Sequence, residues 1–221
     1  MNVYLFDIDG TLVSSDGAGK AAMEAGLASA FGVKDGFADI PYSGRTARAI
    51  ANDLFCHHGI EETSLNWERF VAAYLDHLPD FLDRHRGHVL PGVLSLLDQF
   101  GGRDDILLGL ITGNPRAAAR IKLTHFGLFH HFTVGGFGDT HHHRDDVARE
   151  ALAAVRQRLG GTCNGWDVWV IGDTPLDIQS ARAIDARAAA VATGWYSLDQ
   201  LQAARPDLLL LDLSDPSLLL K

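Results

Sequence analysis

Four stretches of this chain are apolar throughout rather than at alternate positions: Val3 to Phe6, Ile106 to Ile111, Val168 to Ile171 and the shorter Ala188 to Val191. Unbroken runs of this length suit strands covered on both faces, as in parallel sheets. Stretches of helical character follow them. Pro115 to Phe126 opens with a Pro suited to the first helical position and closes at Gly127, a good C-terminal stop. Asp145 to Leu159 ends at Gly160-Gly161, and Thr174 to Ile184 directly follows the third apolar run. Strand then helix, repeated, predicts an α/β fold with a parallel sheet and crossover helices.

The segment from Asp16 to His88 breaks that rhythm. It holds no convincing strand, and its pattern predicts helices over Ala18 to Phe31, Thr46 to His58 and Leu65 to Arg84. Pro91-Gly92 then punctuates a return to the alternating pattern. The simplest organisation is an α/β core of residues 1–15 and 89–221, interrupted after its first strand by a helical insertion over residues 16–88.

Composition narrows the picture. The 221 residues suffice for one core domain with a modest insertion, and 47% hydrophobic with 21% charged residues is the make-up of a globular protein. A net charge of −9 argues against a nucleic-acid or anionic-membrane surface, because both would be repelled. Only Cys56 and Cys163 are present, in no metal-binding or disulfide pattern, and both are expected as buried apolar residues. No run reaches the ~18 apolar residues of a membrane span, Leu208 to Leu211 reads as a short buried segment, and no signal peptide is evident. The expected location is the cytoplasm.

Polar residues placed just behind buried strands carry the chemistry. In an open α/β sheet, ligands bind beyond the carboxyl ends of the strands. Asp7 and Asp9 follow the first run, Thr112 and Asn114 the second, in "GLITGN", and Asp173 and Asp177 the third, in "VWVIGDTPLD". Side chains at i and i+2 of an extended segment share a face, so Asp7 and Asp9 can converge. Carboxylates gathered at one edge repel each other unless a hard cation sits among them, and such oxygen ligands suit Mg²⁺.

"DIDGT", "ITGN" and "GDTPLD", in that order and each behind an apolar run, resemble the haloacid dehalogenase superfamily of phosphotransferases. The helical insertion resembles the cap of its phosphoglycolate-phosphatase-like branch. The resemblance implies a Rossmann-like parallel-sheet core with an inserted α-helical cap domain, and a small phosphorylated metabolite as substrate. It makes Asp7 the nucleophile that accepts the phosphoryl group as an aspartyl-phosphate, and Asp9 the general acid and base. Gly10 turns the chain and Thr11 holds the loop. Thr112, with Gly113 and Asn114, would bind the phosphoryl oxygens. Mg²⁺ would be held by Asp7, Asp173 and the Asp9 backbone carbonyl, with Asp177 assisting.

The family also uses a cation beside the nucleophile, commonly in a Lys-Pro sequence that this chain lacks. The matching position falls on Arg144 in "HHHRDDVAREAL", with Lys122 as the competitor. His141, His142 and His143 read as a solvent-exposed loop leading to Arg144, since consecutive side chains rarely converge on one metal. Specificity is expected in the cap, where Arg45 of "YSGRT" is available to an anionic substrate.

The leading expectation is a Mg²⁺-dependent phosphatase of a small phosphomonoester, phosphoglycolate-like or a sugar phosphate, acting as a monomer or homodimer. Asp9 disfavours a dehalogenase, which lacks the second carboxylate. A phosphonatase would need a Schiff-base lysine, and the cap offers only Lys20 and Lys34 without a signature around either. A sugar-phosphate mutase shares both aspartates. A phosphorylated receiver or a scaffold protein is the alternative outside enzymes.

Overall fold

The apolar run at the N-terminus becomes β1 (Asn2–Phe6), the centre of the sheet, in a computed structural model that describes residues 1–33, 40–161 and 165–220. A two-residue strand, β2 (Val13–Ser14), leads into three helices, α1 (Ala18–Phe31), α2 (Ala47–His57) and α3 (Ser64–Arg84). The chain returns through β3 (His88–Val89), which pairs antiparallel with β2, so the two connections to the insertion form one short ladder. The remainder alternates: α4 (Val93–Phe100), β4 (Ile106–Ile111), α5 (Arg116–His125), β5 (Val134–Gly136), α6 (Arg144–Leu159), β6 (Asp167–Gly172), α7 (Pro175–Arg182), β7 (Arg187–Val191), α8 (Leu198–Ala203) and β8 (Leu208–Leu210).

The six-stranded sheet runs β5-β4-β1-β6-β7-β8 and is parallel throughout. Alternate residues of each strand enter two separate cores. Tyr4, Phe6, Leu108, Leu110, Trp169 and Ile171 face α4 and α5, while Val3, Leu5, Leu107, Ile111, Val170 and Ala188 face α6, α7 and α8. Burial on both sides is why these strands carry no polar alternation. A third cluster lies within the insertion, where Leu27 of α1, Ile50 and Leu54 of α2, and Phe70, Tyr74 and Leu78 of α3 pack together. Ala118 of α5 joins it from the core side.

The four strands and six helices expected from the pattern are present with ends shifted by a few residues at most. Two expectations need correcting. Leu208 to Leu210 is a sheet-edge strand, and Leu211 beyond it is exposed. Cys56 is exposed on α2 rather than buried; Cys163, like Lys34, lies outside the described residues. Among the described residues, no helix is long and apolar enough to cross a membrane.

Candidate active site

Hydrogen bonding of β1 to β4 on one side and to β6 on the other brings three strand ends together. Phe6 pairs with Leu110 and Ile171, so Asp7, Thr112 and Asp173 leave the sheet side by side. This is the switch point where open α/β sheets bind ligands. Gly10 makes the turn after Asp9 at φ 86°, and a Cβ there would stand 2.4 Å from Asp173 Oδ2, so both backbone conformation and space demand glycine. Thr11 Oγ1 donates to Asp173 Oδ1 at 3.3 Å, and Thr193 Oγ1 donates to the Gly10 carbonyl at 2.6 Å.

Asp7, Asp173 and Asp177 are all buried, and one oxygen from each lies within 4.8 Å of the others. Asp177 stands in the first turn of α7, where its Oδ2 accepts from Thr174 N at 3.0 Å and Thr174 Oγ1 at 2.7 Å. Its Oδ1 accepts from Arg144 Nη2. Both oxygens are therefore engaged within the protein, and Asp177 serves the cluster by holding Arg144. The same Nη2 lies 3.3 Å from Asp7 Oδ1.

Three buried carboxylates thus face one guanidinium. Burial pushes the Asp7 carboxyl up to about 6, with Asp177 and Asp9 adding to the rise and Arg144 opposing it. Burial, then Asp177 and Asp7, lifts Asp173 well above the usual carboxylate range. Such a site is short of positive charge and offers only oxygen donors. Those residues fit a hard divalent cation.

Asp9 has the opposite setting. Burial would raise it, but the Lys122 charge and hydrogen bonds from Lys122, Asn114 and Ser15 hold it below the usual range. Lys122 Nζ donates to Asp9 Oδ2 at 2.6 Å and to Asn114 Oδ1 at 2.8 Å. Asn114 Nδ2 donates to Asp9 Oδ2 at 2.9 Å and to Thr112 Oγ1 at 2.8 Å. Ser15 Oγ donates to Asp9 Oδ1 at 3.1 Å. Burial is the largest influence on Lys122 and lowers it, but the charge and hydrogen bond of Asp9, with Tyr74 and Asp7, together outweigh burial and hold the ammonium above its ordinary value.

The fold therefore brings Asp7, Asp9, Thr112, Asn114, Arg144 and Asp173 to one cleft of about 620 Å³. Arg144 and Lys122, alternatives on sequence grounds, are both present and attend different aspartates. Arg45 lines the cleft, but its Nη1 donates to Asp53 Oδ2 at 2.7 Å and to the Pro41 carbonyl at 2.9 Å. Gly113 lies where a Cβ would reach 2.1 Å from the Arg45 carbonyl, so it admits the insertion's loop against the core. His141 and His142 sit on a loop and approach Glu150 and Glu62 at 3.1 and 3.5 Å. Sequence reasoning missed Ser15, Thr193 and Tyr74, whose residue types and positions carry no signal before the fold brings them to the cleft.

Residues 1–185 match the family model described as haloacid dehalogenase-like hydrolase. The chain belongs to the haloacid dehalogenase-like hydrolases. Phosphoglycolate phosphatase 1 of Pseudomonas aeruginosa is 28% identical over 223 residues, covering 96% of this chain and 77% of that protein. The phosphoglycolate phosphatase of Synechococcus elongatus is 32% identical over 130 residues, 58% of this chain and 57% of its own length. A hydrolase from Pseudomonas syringae shares the fold with TM-score 0.72 at 22% identity, covering 100% of this chain and 98% of its own. CbbY from Rhodobacter sphaeroides, solved in complex with phosphate, shares it with TM-score 0.74 at 16% identity, over 96% and 95% of the two chains.

Proposed function

We propose that this hydrolase is a Mg²⁺-dependent phosphatase of a small phosphomonoester, phosphoglycolate-like or a sugar phosphate, working through an aspartyl-phosphate at Asp7. The observation that carries the reading is the contrast between two carboxylates one residue apart. Asp7 sits in the buried acidic cluster beside Arg144, and Asp9 is held by Lys122, Asn114 and Ser15 outside it. The phosphatase names of the relatives support it.

Asp7 and Asp173, with the Asp9 backbone carbonyl, would hold the Mg²⁺, and Asp177 would orient the cluster through Arg144. When bound, the ion supplies positive charge that offsets repulsion between a carboxylate and a phosphate dianion. The Asp7 carboxylate attacks phosphorus and the ester oxygen leaves, taking a proton from Asp9. The arriving dianion opposes the Lys122 charge at Asp9 and raises its proton affinity, so Asp9 takes up a proton from solvent as the ester binds and holds it for the leaving oxygen. Asp9 then accepts a proton from the water that attacks phosphorus, inorganic phosphate departs, and Asp7 is restored. Thr112 and Asn114 flank the phosphoryl oxygens, and Arg144 steadies the attacking carboxylate. Residues 16–88 act as a cap over the core formed by residues 1–15 and 89–221.

Release of inorganic phosphate from an aryl phosphate tests this directly. Turnover that requires Mg²⁺ and disappears in Asp7→Asn is expected. Metal-independent turnover, or an Asp7→Asn protein that remains active, would overturn the reading.

A further inference from the structure

We propose that Trp195 and Tyr42 make the mouth of the cleft a stacking site for a flat ring, so that phosphate esters of ring-bearing alcohols are preferred substrates. The inference rests on the phosphatase reading above and goes beyond the small esters named there. Trp195 is 80% exposed and Tyr42 37%, and both line the cleft that holds Asp7 and Asp9. Trp is highly buried on average, and enclosing one removes roughly 150–250 Å² from water, so a ring left this open has surface to offer a ligand. Met23 of α1 and Ile50 of α2 line the same cleft from the insertion. At about 620 Å³ it matches sites that enclose drug-sized ligands between largely apolar walls, far more room than a two-carbon ester fills.

Close backbone approaches hold both rings in place. Trp195 follows Gly194, where a Cβ would overlap the Asp173 carboxylate, and Thr193 before it donates from Oγ1 to the Gly10 carbonyl at 2.6 Å. The same segment is tied at its ends, by Ala192 N donating to the Leu210 carbonyl at 3.0 Å and by the Ser197 cap of α8. Tyr42 opens a turn in the insertion that closes with Arg45 N donating to the Tyr42 carbonyl at 3.2 Å. Within that turn a Cβ on Gly44 would stand 2.7 Å from Thr174 Oγ1. One ring from the core and one from the insertion are therefore anchored, each within two residues, on the adjacent positions Asp173 and Thr174. Lys20 Nζ lies 5.4 Å from the centroid of the Tyr42 ring and steadies it further. Rings held by rigid backbone lose little freedom on meeting a ligand, which favours binding. Because Asp7 and Thr112 engage the phosphoryl group, a ring stacked on Trp195 belongs to the leaving alcohol.

The test compares kcat/KM for 2-phenylethyl, 2-cyclohexylethyl and ethyl phosphate, with Mg²⁺, in the wild type, Trp195→Ala and Trp195→Phe. All three esters release a primary alcohol, so the chemistry at phosphorus is matched. The wild type is expected to favour the phenyl ester over ethyl phosphate by about 10- to 100-fold, and over the saturated ring by several-fold. Trp195→Ala should shrink the phenyl-to-ethyl ratio about tenfold, mainly through KM for the phenyl ester, and Trp195→Phe should restore most of it. Equal kcat/KM for phenyl and ethyl esters in the wild type, equal kcat/KM for the flat and saturated rings, or a ratio unchanged in Trp195→Ala overturns the stacking site while leaving the phosphatase reading standing. Turnover of none of these esters, nor of an aryl phosphate, overturns both.

Discussion

Asp7 and Asp9 are chemically identical side chains that the fold drives in opposite directions, the first toward a higher pKa and the second toward a lower one. Arg144 carries much of the balance on the Asp7 side. Its side chain is 5% exposed and is the cation bonded to both Asp7 and Asp177. Replacing it by Met leaves buried carboxylates without their counter-charge, and a loss of about 3–5 kcal/mol in unfolding free energy is expected from chemical denaturation. Part of that loss should return on adding Mg²⁺, which a purely steric defect would not show. The sequence makes Asp7, Asp9, Thr112 and Asp173 legible because each stands directly behind a buried strand. It makes Lys122 legible only as an alternative to Arg144, since a lysine within a helix has no direction until α5 is laid beside β1. Tyr74 reads as one more apolar helix position, and only its buried hydroxyl, unpartnered among the described residues, marks it.

At the level of elements, long apolar runs, proline starts and glycine stops are enough to place β1, β4, β6 and β7 and the helices α5, α6 and α7, whereas the short α8 after β7 carries no such signal. The two-residue ladder of β2 and β3 is too short to show a period. β5, with the sequence Val-Gly-Gly, has almost no side chains from which to read one. Both matter for position rather than chemistry. α2 illustrates how the insertion is tied to the core: the Oγ of Thr46 accepts from Ala49 N–H at 3.1 Å, capping the helix, and donates to the His142 carbonyl at 3.2 Å. Ala47 N donates to the Gly113 carbonyl at 2.7 Å in the same place. Thr46→Ala is expected to lower stability by about 1–2 kcal/mol, measured by urea unfolding, with Thr46→Ser recovering most of it.

Across the whole molecule, a net charge of −9 and a buried acidic cluster tie folding to protonation, and would tie it equally to any cation bound there. Asp7 rises from 3.8 to about 6 in the folded protein, and Asp173 also rises well above its ordinary value. A folded-state pKa above the unfolded one means that the native state holds the proton more tightly. The resulting stabilisation is complete below about pH 4 and is lost as pH rises through about 6 and beyond. A divalent cation competes with those protons and relieves the repulsion they mask. Mg²⁺ should therefore raise the Tm clearly at about pH 8 and much less at about pH 5, as followed by calorimetry. An equal shift at both values would argue against binding at these carboxylates.

The separate jobs proposed for Asp7 and Asp9 are tested most directly by trapping the phosphorylated protein. An aryl phosphate has a leaving group that needs no proton, so an Asp9→Asn variant should still transfer the phosphoryl group but stall before hydrolysis. Rapid quenching and peptide mass analysis should then find one added phosphoryl mass on the peptide containing Asp7, and none in Asp7→Asn. Phosphate released by the wild type with no phosphorylated Asp7 in the Asp9→Asn variant, or the label on another residue, would contradict the account.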